Sequence, residues 1–159
     1  MESLASLHPI VIHFPIVLFI IYALFETIGA FSKNEFFSKA AHIILFLGVL
    51  GAIAAVLTGN QAESLMSQWE SQGAIIQLHA IGEHEELANT TLWIFVGILI
   101  LRTVLVLKKK FTGYIKYIFV VLALVGCYFL YETGEHGGKL VYKYGLGTDL
   151  KKMEIQENK

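Results

Sequence analysis

Charge is scarce in this chain. Only 16% of its 159 residues are Asp, Glu, Lys or Arg, while 55% are hydrophobic. A soluble domain carries about a quarter of its residues as charges, so this composition excludes an ordinary soluble globule. The formal net charge of −1 offers no basic face, and nucleic acid is not expected as a partner. Cysteine is down to one residue, Cys127, so there is no internal disulfide and no Cys-x-x-Cys-His haem attachment. Cys127 reads as a small packing residue. No Ser–His–Asp or Cys–His order can be argued, and no phosphate loop of the Gly-x-x-x-x-Gly-Lys-Ser/Thr form is present. The chain therefore reads as a carrier or subunit rather than an enzyme. The opening "MESLASL" contains no Lys or Arg and does not look like a cleavable signal, so the first apolar run is expected to be retained.

What the chain has in place of charge is long apolar runs. Segments near Ile10–Ala30, Ala40–Leu57, Leu87–Leu107 and Tyr114–Tyr131 approach the roughly 20 residues needed to cross a bilayer core of about 30 Å. The expected fold is all-α: an integral four-helix bundle over 1–147, followed by a polar tail, 148–159. In the second loop, Leu65, Met66 and Trp69 recur at helical spacing and predict a short amphipathic helix on the outer membrane surface. Glycines 134, 137, 138, 145 and 147 predict a sharply turning C-terminal loop. Gly48 and Ala52, then Gly51, Ala55 and Gly59, recur every fourth residue in the second span, a spacing that lets helices approach closely.

The distribution of basic residues sets the expected orientation. Lys33 and Lys39 flank the first loop; Arg102, Lys108, Lys109, Lys110 and Lys116 flank the third. The second loop has no Lys or Arg but carries Glu63, Glu70, Glu83, Glu85 and Glu86. The basic loops are thus expected in the cytoplasm, with both termini outside, although Lys139 and Lys143 pull mildly the other way.

Five of the six histidines then fall on the outer side: His8, His13, His79, His84 and His136. An ionisable group at a membrane span is costly and usually has a partner or a task. In "LHPIVIHFPI", Pro9 suits a first helical position and would place His8 at the helix cap. Pro15 cannot donate to Val11 and should bend the span within a turn of His13. On a regular helix His8 and His13 point about 140° apart, so they are expected to meet different neighbours. His79 can pair with Glu83. At the inner end, Glu26, His42 and Arg102 form an expected structural polar cluster, with a proton path as the alternative.

"HPIVIHFP", the "TG" closing the second span, "HEELA" opening the third and "GGKLVYKYGLG" near the end resemble, in that order, the signatures of a bacterial family. These are the four-span membrane proteins of the DUF2231 type, whose activity is not settled. The matching positions are His8, Pro9, His13, Phe14, Pro15, Gly59, His84, Gly137, Gly138, Val141, Tyr142 and Gly145. Relatives often carry histidine where this chain has Tyr144. Some relatives resemble fusions to Rieske-type iron–sulfur domains, which implies membrane electron transfer and other membrane redox subunits as partners. The resemblance also implies a bacterial cytoplasmic membrane.

Three functions compete. The first is a b-type haem protein passing electrons near the outer face, with His13 and His84 as axial ligands and His8 and His136 as a second pair. The second is a non-enzymatic subunit whose histidines hold its outer cap together. The third is a zinc or copper site formed by His8, His13, His84 and His136 with a glutamate.

Overall fold

The computed structural model describes residues 2–71 and 75–148, with side chains from Ala5 onward. The architecture is an all-α four-helix bundle. Its elements are α1 (Glu2–Val11), α2 (His13–Phe31), α3 (Glu35–Ser71), α4 (Leu78–Leu107) and α5 (Ile115–Tyr142). Among the described residues, four helices are long and apolar enough to cross a membrane, with α1 and α2 acting as one span over Ala5–Phe31. The α1–α2 break is a single residue, Ile12, which keeps helical dihedrals of φ −60° and ψ −26°. Pro9 and Pro15 lack the N–H groups that would bond to Ala5 and Val11, so the backbone ladder is thin on both sides of it. The expectation that His8 caps a helix beginning at Pro9 is overturned. The helix starts at Glu2, and His8 sits in the last turn of α1 with Pro9 inside it.

Going round the bundle, α2 packs on α3, α3 on α4, α4 on α5, and α5 back on α2. The core on its axis consists mainly of Phe19, Tyr22, Leu45, Phe95, Ile98 and Phe119. Phe19 and Phe95 stack across that axis with centroids 3.6 Å apart and planes within 4°. Each ring lies on a glycine of the neighbouring helix. A Cβ on Gly48 would come within 2.7 Å of Phe19, and one on Gly126 within 2.7 Å of Phe95. The small residues of the second span are thus there to admit side chains as well as backbone.

The expected amphipathic helix exists, but not as a separate element. Residues 59–71 continue α3, whose 37 residues are longer than a bilayer core of about 30 Å requires at 1.5 Å per residue. Met66 and Trp69 face a small second core of Ile76, Ile81 and Leu146 rather than lying on a lipid surface. The glycine-rich stretch also differs from the expected loop. Gly134, Gly137 and Gly138 are helical within α5, which runs to Tyr142. The backbone turns only afterwards, where Gly145 and Gly147 take positive φ of 68° and 80°, a region open to glycine at no steric cost. Tyr144 packs into that second core. The rest of the expected tail, 149–159, lies outside the described residues.

Candidate functional site

Charge within the apolar bundle is concentrated at the end where α2 leads into α3. Arg102 and Glu26 are almost entirely buried, at 1% and 2% exposure, and Arg102 Nε donates to Glu26 Oε2 at 3.0 Å. Arg102 Nη2 donates to the Ser38 carbonyl at 2.9 Å and to the Ser38 hydroxyl at 3.2 Å. The Phe111 ring lies 4.3 Å from the guanidinium carbon. His42 is at the same end, within electrostatic range of Arg102. Glu26, His42 and Arg102 therefore do share one region, as their sequence positions suggested, and Ser38 and Phe111 complete it.

At the opposite end, α1, α3, α4 and α5 bring together His8, His84 and His136. All three rings are half-buried, and His84 stands within electrostatic range of the other two. His8 Nδ1 lies 3.0 Å from Thr58 Oγ1. The Thr58 hydroxyl also reaches the Ala54 and Ala55 carbonyls, at 3.0 and 2.9 Å. The Ala55 backbone lies beside His8 as well. His84 Nδ1 lies 3.1 Å from the Thr133 carbonyl, and His136 Nδ1 lies 3.0 Å from the Glu132 carbonyl. His8 Nδ1 meets a hydroxyl that can donate or accept, whereas a carbonyl oxygen only accepts, so in His84 and His136 Nδ1 carries the proton. In a neutral imidazole this leaves Nε2 with a free lone pair. Backbone anchoring of Nδ1 is the arrangement that orients a histidine for ligation through Nε2.

Two glycines make room for two of these rings. A Cβ on Gly59 would lie 3.2 Å from His8 Cε1, and one on Gly137 would lie 3.1 Å from His84 Cε1. Thr91 and Thr133 link α4 to α5 below His84 through a 2.8 Å hydrogen bond. The Thr133 proton goes to the Phe129 carbonyl at 2.8 Å, which makes Thr91 the donor.

The remaining sequence candidates are elsewhere. His13 is exposed on the surface of α2, as is Phe14, and the histidines near His84 are His8 and His136. His79 is exposed and lies 3.5 Å from Glu83 in the expected i, i+4 pair. Among the described residues, no group of three His, Cys, Asp or Glu side chains is close enough to hold a metal ion. Sequence reasoning missed Thr58, Thr91 and Thr133 as supports. Their partners are 50, 42 and 49 residues away, so no local pattern announces them. The one available signal was the Thr58-Gly59 pair closing the second span, read there only as a family signature.

A family model described as predicted membrane protein (DUF2231) matches residues 5–150. No curated protein and no solved structure matches the chain.

Proposed function

The chain belongs to the DUF2231 family of predicted membrane proteins, and from that premise we propose that it is an electron-transfer protein or subunit holding a b-type haem between His8 and His84. The observation that carries this reading is the matched pair of anchored imidazoles. Each ring is held through Nδ1, His8 by the Thr58 hydroxyl and His84 by the Thr133 carbonyl, at the same end of the bundle, which directs Nε2 away from its anchor. The choice of haem rests on counting donors. A zinc or copper ion takes most of its ligands from side chains, three or four for zinc, and no such trio exists among the described residues. Two imidazoles suffice when the bound group brings its own equatorial donors, as a porphyrin does. The haem would supply one-electron chemistry; the chain's part is to orient both rings and exclude water. His136 remains nearby as a third imidazole. His13, exposed on α2, takes no part. The site would lie on the outer side of a bacterial cytoplasmic membrane, with both termini outside.

A second reading keeps one observation in its favour. His8 and His84 each tie two helices together, as hydrogen-bonded clamps would in an accessory subunit without a cofactor. Purification after expression with ample haem separates the two. The haem reading expects about one haem per chain, a Soret band and split visible bands on reduction, with His8→Ala and His84→Ala each losing most of the pigment. A colourless protein that takes up no haem on reconstitution leaves the clamp reading.

A further inference from the structure

The same chemistry occurs twice in this bundle, at one fixed register. His8 and Phe19 in the first span correspond to His84 and Phe95 in α4. Glu26 and Arg102, 76 residues apart, correspond at the same shift. So do Thr27 and Thr103, each donating 2.7 Å to the carbonyl four residues earlier. Two residues more aligns α3 with α5, so that Gly48 falls on Gly126 and Gly59 on Gly137.

The contacts repeat with the residues. Phe19 lies on Gly48 as Phe95 lies on Gly126, and His8 on Gly59 as His84 on Gly137. His8 lies beside the backbone at Ala55, and His84 bonds to the backbone at the matching position, Thr133. Thr58 and its counterpart His136 both bond back to the carbonyl four residues before, Ala54 and Glu132. The helix neighbours map as well: α3 against α4 becomes α5 against α2. Any up-down-up-down bundle relates its two hairpins approximately. That architecture does not require an imidazole on a glycine, and a phenyl ring on another, at identical registers in both halves.

We propose that the chain is two copies of one helical hairpin joined in a single polypeptide, and that its histidine end is a composite of two equal half-sites. Each hairpin supplies one imidazole, so a group held there lies on the pseudo-twofold axis and takes both rings alike. The identity of that group rests on the haem reading above; the duplication does not. The stacked Phe19 and Phe95 rings meet across the same axis. The ion pair breaks the symmetry with a purpose. Two identical hairpins would set Glu26 against Glu26, or Arg102 against Arg102, in a site that is almost fully buried. The opposite charges make the first hairpin pair with the second rather than with its like in another copy. The positions beside them differ accordingly: Ser38 receives the guanidinium, while its counterpart Lys116 lies near Glu26.

Transposing the polar cluster tests the duplication without any cofactor. Glu26→Arg alone is expected to lose monodisperse folded protein. The four-site variant Glu26→Arg, Ser38→Lys, Arg102→Glu, Lys116→Ser exchanges equivalent positions and is expected to recover it, melting within about 4 °C of the parent. A four-site variant as unfolded as the single one overturns the duplication. The composite site is tested by Gly59→Ala and Gly137→Ala, which should each weaken haem uptake by a similar factor of about tenfold, as for loss of ligand support. Full loss in one with none in the other overturns the shared site even where the protein binds haem. A full chain that binds no haem overturns the haem reading and the shared haem site, and the transposition result still decides the duplication.

Discussion

The two ends of the bundle handle buried polar groups differently. At the Glu26–Arg102 end the ion pair is used up, because the guanidinium meets a carboxylate, a carbonyl, a hydroxyl and an aromatic face, while Nδ1 of the neighbouring His42 is buried without a hydrogen-bond partner. At the histidine end each ring is held through Nδ1, by a hydroxyl or a backbone carbonyl. A closed network fixes geometry, whereas an anchored ring with a spare lone pair is suited to ligation. The comparison separates a structural ion pair from a candidate cofactor site, although both began as ionisable residues in apolar runs.

The largest effect should come from breaking the closed end. Arg102→Leu leaves Glu26 buried without its partner and should cost about 3–5 kcal/mol, read as a fall in the thermal midpoint of detergent-solubilised protein. His8→Ala should alter pigment far more than that midpoint. If Arg102→Leu melts like the parent, the ion pair is not what closes that end. Next in size is the axis between the ends. Gly126→Ala drives a methyl group toward a Phe95 ring already stacked on Phe19, at a cost of about 1–3 kcal/mol, and Gly48→Ala should match it. Unequal midpoints for the two would show that the axis is not shared equally.

Smaller effects sharpen the open end. Thr91→Val removes the α4–α5 hydrogen bond to Thr133 and should cost roughly 0.6 kcal/mol, as interhelical bonds in membranes do. The same change should leave pigment content intact, because Thr91 only supports the helix that carries His84. The smallest effect belongs to His13→Ala. An exposed residue outside any network should shift stability by less than about 0.5 kcal/mol and leave the spectrum unchanged. Loss of pigment in that variant would return His13 to the ligand set.

Composition and run length were enough to read the four spans, since bilayer thickness leaves few ways to bury such runs. The composition of the histidine end was legible too, because His8, His84 and His136 fall near corresponding ends of their spans. The pairing was not. His13 looked deeper than His8 by position along the chain, but depth along a helix says nothing about which face a residue occupies. The start of α1 at Glu2 rather than Pro9 then placed His8 in its last turn. The extension of α3 through Ser71 was hidden because a polar helix beyond the bilayer and a separate surface helix share one periodicity. Gly134, Gly137 and Gly138 signalled a turn in sequence; in α5 their helical backbone instead brings Gly137 against the His84 ring.

The central claim is that His8 and His84 together hold one group. Electron paramagnetic resonance of the ferric, haem-loaded protein tests it most directly. The account predicts a single low-spin signal from two axial imidazoles, converted to high spin in the haem that His8→Ala or His84→Ala retains, and unchanged in His13→Ala. A low-spin signal that survives either single substitution, or that disappears with His13→Ala, would contradict it.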